Sequence, residues 1–121
     1  MSNTLERFDA VIVGAGFSGL LCAGYLKRAG IKNILVLEMT PTVGGVWAKD
    51  GVGSYPGAAC DVPSYAYLPL LDETGFIPTK KYVTQPEIYA YAQMMTEHLG
   101  IKECLRLSRK VTEAVFADEV P

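Results

Sequence analysis

Apolar positions along the chain gather into clusters with different periods. Ala10-Val11-Ile12-Val13 and Ile34-Leu35-Val36-Leu37 are unbroken apolar runs, the pattern of short strands buried on both faces of a parallel sheet. Between them Leu20, Leu21, Ala23, Gly24 and Leu26 supply one side of a helix that starts near Phe17 or Ser18. Lys27-Arg28-Ala29-Gly30 ends it with basic residues and a glycine at C′. A second helix follows much later. Thr84-Gln85-Pro86-Glu87 reads as a capping box, with Thr84 as N-cap, Glu87 at N3 and a proline in the first turn. Ile88, Tyr91, Ala92, Met95 and Leu99 form its apolar face, and Gly100 stops it. A third parallel strand is predicted around Cys104–Leu107, and the alternating Val111–Phe116 begins another.

From Met39 to Val83 no helical period is sustained, and most of the prolines fall there. A loop of that length in a compact domain is functional or disordered. Trp47, Tyr55, Tyr65, Tyr67, Phe76 and Tyr82 argue for order, because such side chains need a surface to bury against.

The junction of the first strand and helix carries the chemistry. Gly14, Gly16 and Gly19 stand in the spacing G-x-G-x-x-G. The first permits a sharp turn, the second lets a pyrophosphate approach the backbone, and the third lets helix and strand pack closely. Phe17 and Ser18 open the helix, aiming free N–H groups and the positive dipole end at that pyrophosphate. Glu38 ends the second strand nineteen residues after Gly19, where an acid meets a ribose hydroxyl pair. A flavodoxin-like unit with chance glycines leaves Glu38 unexplained. The expectation is an α/β, Rossmann-like three-layer dinucleotide-binding fold with a parallel sheet, in one domain over residues 1–121.

Charge and composition narrow this further. A net charge of −2 and the lack of a basic run exclude a nucleic-acid or anionic-membrane surface. Met1–Arg7 is neither a signal nor a transit peptide, and Val11–Leu26 is short for a membrane span. A cytoplasmic protein is expected. Cys22, Cys60 and Cys104 have no metal or redox spacing and read as reduced thiols, with Cys22 packed inside the first helix and Cys104 inside a strand. His98, the sole histidine, reads as a helix-end residue. No residue of the chain is assigned a catalytic or metal-binding role.

Two fragments of the long loop are distinctive: Gly44-Gly45-Val46-Trp47, and Tyr55-Pro56-Gly57-Ala58-Ala59-Cys60-Asp61 with Tyr67 six residues after the Asp. With the glycine fingerprint they resemble the N-terminal FAD-binding region of Baeyer–Villiger-type flavin-dependent monooxygenases, over nearly the whole chain. The resemblance implies FAD and NADPH as cofactors and a small-molecule substrate. NADPH reduces FAD, and one atom of O2 is then inserted into a ketone or oxygenates another soft centre. It also implies that Glu38 binds the adenosine ribose and that Val46 and Trp47 lie along the flavin. Ala59, Cys60 and Asp61 would border the meeting place of flavin and nicotinamide. Asp61 and Tyr67 would touch FAD, and Val111 would give it a backbone contact. Core packing is the rival role for Trp47, and a turn cap for Asp61.

The chain departs from the family pattern where Ala59 replaces the usual arginine, and in a longer loop over residues 48–54. A second glycine fingerprint is absent, so the fold is expected to be incomplete at its C-terminus. Two alternatives stand beside this reading. One is a non-catalytic nucleotide-binding module that associates through an unfinished sheet edge; the other is a different two-dinucleotide flavoprotein, such as an amine oxidase.

Overall fold

The computed structural model describes residues 5–49 and 52–117. Strand β1 (Ala10–Val13) leads through the glycine turn into α1 (Phe17–Arg28), and β2 (Ile34–Leu37) follows. A 3₁₀ turn, Gly45–Trp47, comes next, then the short helices α2 (Ser64–Tyr67) and α3 (Leu71–Thr74). The longest helix is α4 (Gln85–His98), and a 3₁₀ turn, Lys102–Cys104, runs into β3 (Leu105–Arg106). The sheet has the order β1-β2-β3 and is parallel throughout. Ala10 pairs with Ile34 and Val13 with Leu37, while Val36 and Leu37 pair with Leu105 and Arg106. This is the expected Rossmann-like arrangement.

One core holds it together. Ile34 and Val36 of β2 pack with Leu20 and Ala23 of α1 and with Ile88, Tyr91 and Met95 of α4, and Ile12 of β1 leans on the same cluster. The two long helices meet closely at Gly24, where an added Cβ would lie 2.7 Å from Leu99 Cδ2. Both end alike, with glycine in the left-handed region just past the last turn. Gly30 N–H donates to Lys27 O and Ile31 N–H to Leu26 O; Gly100 N–H donates to Glu97 O and Ile101 N–H to Thr96 O. These paired bonds satisfy carbonyls that a helix end otherwise leaves open.

Several expectations are corrected. β1 is buried on one face only: Val11 and Val13 are 53% and 66% exposed. Both long helices lie on the Ile12 side, and no described residue covers the other face of this edge strand. Cys22 is exposed, because two residues along a helix point to different sides and the buried side is taken by Leu20, Ala23 and Gly24. Cys104 is buried but ends the 3₁₀ turn instead of lying in a strand.

The capping box does not form. Thr84 is the N-cap without a side-chain bond, while Glu87 accepts bonds from Thr79 N–H and Thr79 Oγ1. Glu87 thereby ties the loop before α4 to its first turn. The loop 39–83 is not free of helix, since α2 and α3 lie within it. Residues 111–116 form no strand, and Val115 and Phe116 are exposed; no described strand lies beside them to supply the pairing.

Candidate functional site

The three fingerprint glycines have separable causes. Gly14 has φ of +103°, a conformation that disfavours any side chain. At Gly19 a Cβ would lie 2.0 Å from Gly14 O, so turn and helix are in backbone contact. Gly16 differs: its φ is −76°, and an added Cβ would sit at an ordinary 3.6 Å from Gly45 Cα. The fold does not require glycine there. A side chain would, however, narrow the cleft that the turn lines.

That cleft, of about 370 Å³, lies between the glycine turn and the Gly44–Trp47 segment, with Tyr67 on its wall. Gly16, the N-cap of α1, leaves the helix without a side-chain cap, and no acid stands in the first turn. The first amides at Phe17, Ser18 and Gly19 therefore face the cleft with the helix dipole behind them, as an anion site requires. Gly44 N–H donates to Ala15 O at 2.8 Å, which fastens the second glycine motif to the first. Buried Gln85 reaches from α4 to donate to Trp47 O and Ala48 O at 3.0 and 2.9 Å. Trp47 Nε1 donates to the Tyr67 hydroxyl at 2.6 Å.

A second cavity, of about 230 Å³, adjoins the first at Val13 and Gly14 and is lined by Glu38, Met39, Arg109, Lys110 and Val111. Glu38 is 6% exposed. Its Oε1 accepts from Ala15 N–H at 2.9 Å and its Oε2 from Thr40 N–H at 2.8 Å. Its backbone accepts from Arg109 N–H at 2.8 Å and donates to Arg106 O. The carboxylate thus joins the glycine turn to the loop leaving β2, with lone pairs to spare for further donors.

The structure brings Gly14, Gly16, Phe17, Ser18, Gly19, Val46, Trp47 and Tyr67 together in the first cleft, and Glu38 and Val111 in the second. Ala59, Cys60 and Asp61 line neither. Ala59 bridges to Thr84, Cys60 is buried with its N–H on Val83 O, and Asp61 is exposed. Sequence reasoning missed Gln85 and the packing of Gly45 on Gly16; the paired glycines before Val46 were the available signal for the latter. Among the described residues no helix is long and apolar enough to cross a membrane.

Residues 12–74, just over half of the chain, match the family described as NAD(P)-binding Rossmann-like domain. The chain belongs to that family. This Rossmann-like domain is 48% identical, over 78% of its length, to Baeyer-Villiger monooxygenase ATR8 of Stachybotrys chlorohalonatus, of which it covers 15%. Among solved structures it resembles OTEMO complexed with FAD and NADP, with a TM-score of 0.83, 27% identity, and 95% of this chain and 22% of that one covered. It also resembles the polycyclic ketone monooxygenase of Thermothelomyces thermophila, with a TM-score of 0.77, 34% identity, and 88% and 18% covered. The Rossmann-like domain thus spans between about a seventh and just over a fifth of these proteins, and its resemblance to Baeyer–Villiger monooxygenases stands.

Proposed function

We propose that residues 1–121 form the FAD-binding part of an NADPH-dependent flavin monooxygenase that inserts one oxygen atom of O2 into a ketone-type organic substrate. The observation that carries this is the cleft itself. Uncapped helix amides and the side-chain-free Gly16 lie at its floor, and the Trp47–Tyr67 pair forms a wall. Glu38 stands in the adjoining cavity. The names of the matched relatives support the same reading. The donor set fits a dinucleotide: a dipole end for the pyrophosphate, a buried carboxylate for a ribose diol, and aromatic walls for a planar ring.

In this reading Gly14, Gly16, Phe17, Ser18 and Gly19 hold the pyrophosphate, and Glu38 orients the adenosine ribose. Val46, Trp47 and Tyr67 lie along the flavin, with the loop 39–83 as its cover. Val111 offers backbone at the adenine end. Ala59, Cys60 and Asp61 stand toward the NADPH side, where Asp61 supplies a carboxylate and Ala59 no charged group. FAD, when bound, supplies the hydride-accepting and oxygen-activating chemistry; the chain binds it, orients it and limits water around it. Three free thiols suit a reducing, cytoplasmic compartment.

The test is titration of the purified chain with FAD, followed by flavin fluorescence, for wild type and Gly16→Ala. Because the added Cβ meets only an ordinary contact, the variant folds with no more than the modest cost of alanine at an N-cap, and loses affinity. Equal affinity in both proteins refutes the placement of the pyrophosphate.

A further inference from the structure

Five aromatic rings run in a line from the cleft into the core. Trp47 and Tyr67 stand edge to face with centroids 6.1 Å apart, and Tyr67 meets Phe17 at 6.3 Å. Phe17 meets Tyr91 at 6.3 Å, and Tyr91 meets Phe76 at 4.9 Å. Trp47, Tyr67 and Phe17 line the cleft, whereas Tyr91 is wholly buried. Indoles and phenols yield an electron far more readily than a phenyl ring does. Phe17 therefore separates two oxidisable groups, the Trp47–Tyr67 pair and Tyr91.

The two groups differ in what can happen to a proton. An indole N–H is donor only, so Trp47 gives its hydrogen to the phenol oxygen at 2.6 Å. An acceptor at that position stabilises positive charge on the indole, which favours Trp47 as the first to lose an electron. Tyr67 has its acceptor role filled by Trp47, and its own O–H proton is left for the cleft, where the rim residue Val46 is 71% exposed and water has access. Tyr91 has no such outlet. Among the described residues its hydroxyl bonds to Thr74 Oγ1 and Pro69 O, neither of which retains a proton, and burial pushes its phenol above the ordinary value.

We propose that Trp47 and Tyr67 form a one-electron donor couple for a flavin seated in the cleft, a redox role distinct from holding the cofactor. The proposal rests on the FAD reading above. The oxidant is the light-excited oxidised flavin. One electron leaves the Trp47 indole for it; Tyr67 then refills the indole with one electron and releases its phenolic proton to cleft water. In sum the flavin gains one electron, water gains one proton, and Tyr67 loses both. Tyr91 takes no part, because its oxidation would strand a proton in the core.

The experiment is time-resolved flavin fluorescence and transient absorption on the full chain loaded with FAD, comparing wild type with Trp47→Phe, Tyr67→Phe and Tyr91→Phe. Wild-type emission is expected to be strongly quenched. Trp47→Phe lengthens the lifetime severalfold. Tyr67→Phe keeps the fast quenching but leaves a persistent indole radical with no phenoxyl signal, and Tyr91→Phe matches wild type in both readouts. A lifetime unchanged in Trp47→Phe overturns the proposal, as does a phenoxyl signal lost in Tyr91→Phe instead of Tyr67→Phe. Bound but unquenched flavin defeats this proposal alone, whereas failure of wild type to bind FAD defeats the flavin reading with it.

Discussion

Glu38 is expected to act on the empty domain as well as on its ligand, and the two effects separate in one experiment. Its carboxylate is buried and accepts two backbone N–H groups, from Ala15 and Thr40. Glu38→Ala leaves both donors without a partner. A buried donor left unsatisfied costs about 1–3 kcal/mol. Ala15 is wholly buried and Thr40 only half-buried, so the sum is about 2–4 kcal/mol for the ligand-free chain. Glu38→Gln keeps one acceptor oxygen but turns an NH2 toward the other N–H, and costs about 1–2 kcal/mol.

The assay is urea unfolding of the FAD-free variants, read by circular dichroism and by Trp47 emission. FAD titration of the folded fraction then gives the second effect. Loss of a charged acceptor for ribose hydroxyls, about 1–3 kcal/mol, lowers affinity by about 5- to 140-fold. A ligand-free Glu38→Ala chain within about 0.5 kcal/mol of wild type, the range of an ordinary surface change, would refute the structural role. The binding role is tested independently by the titration.

Two further outcomes follow from close contacts and from charge. Gly24→Ala gains about 1 kcal/mol of helix propensity but drives a Cβ to within 2.7 Å of Leu99, an overpacking that costs about 1–3 kcal/mol. A melting temperature lowered by about 3–5 °C is expected, and an unchanged or raised one shows that Leu99 yields freely. Glu73 is held at a pKa of about 2, below the ordinary 4.5, by hydrogen bonds first from Arg28 and then from His98. Its native form binds the proton more weakly than the unfolded chain does. The contribution is therefore present above pH 4.5 and is lost as pH falls toward 2. Melting curves of wild type and Glu73→Gln are expected to differ modestly near neutral pH, as exposed pairs do, and to converge in acid; a gap that widens on acidification contradicts the assignment.

The sequence by itself determined the parts that local rules govern. Two apolar runs, three glycines, an amphipathic stretch and an acid at the end of the second run lie within one short unit, and each constrains the backbone through its near neighbours. That is why β1, α1, β2 and the burial of the α4 face were legible without coordinates. The paired motifs Gly-Gly-Val-Trp and Cys-Asp with its following tyrosine were legible too, by resemblance.

Tertiary structure decided everything that depends on partners distant in the chain. It left Val11 and Val13 open, because whether a strand is covered on its second face depends on elements elsewhere. It drew Glu87 away from the N-cap toward Thr79, since a carboxylate takes the donor that packing brings nearest. It gave Glu38 the amide of Ala15 as a donor and gave Gln85 the Trp47 loop to hold, contacts that no local pattern encodes. Gly16 states the division most plainly: its spacing pointed to a ligand, but only the ordinary contact at its missing Cβ shows that the fold itself leaves room for a side chain there.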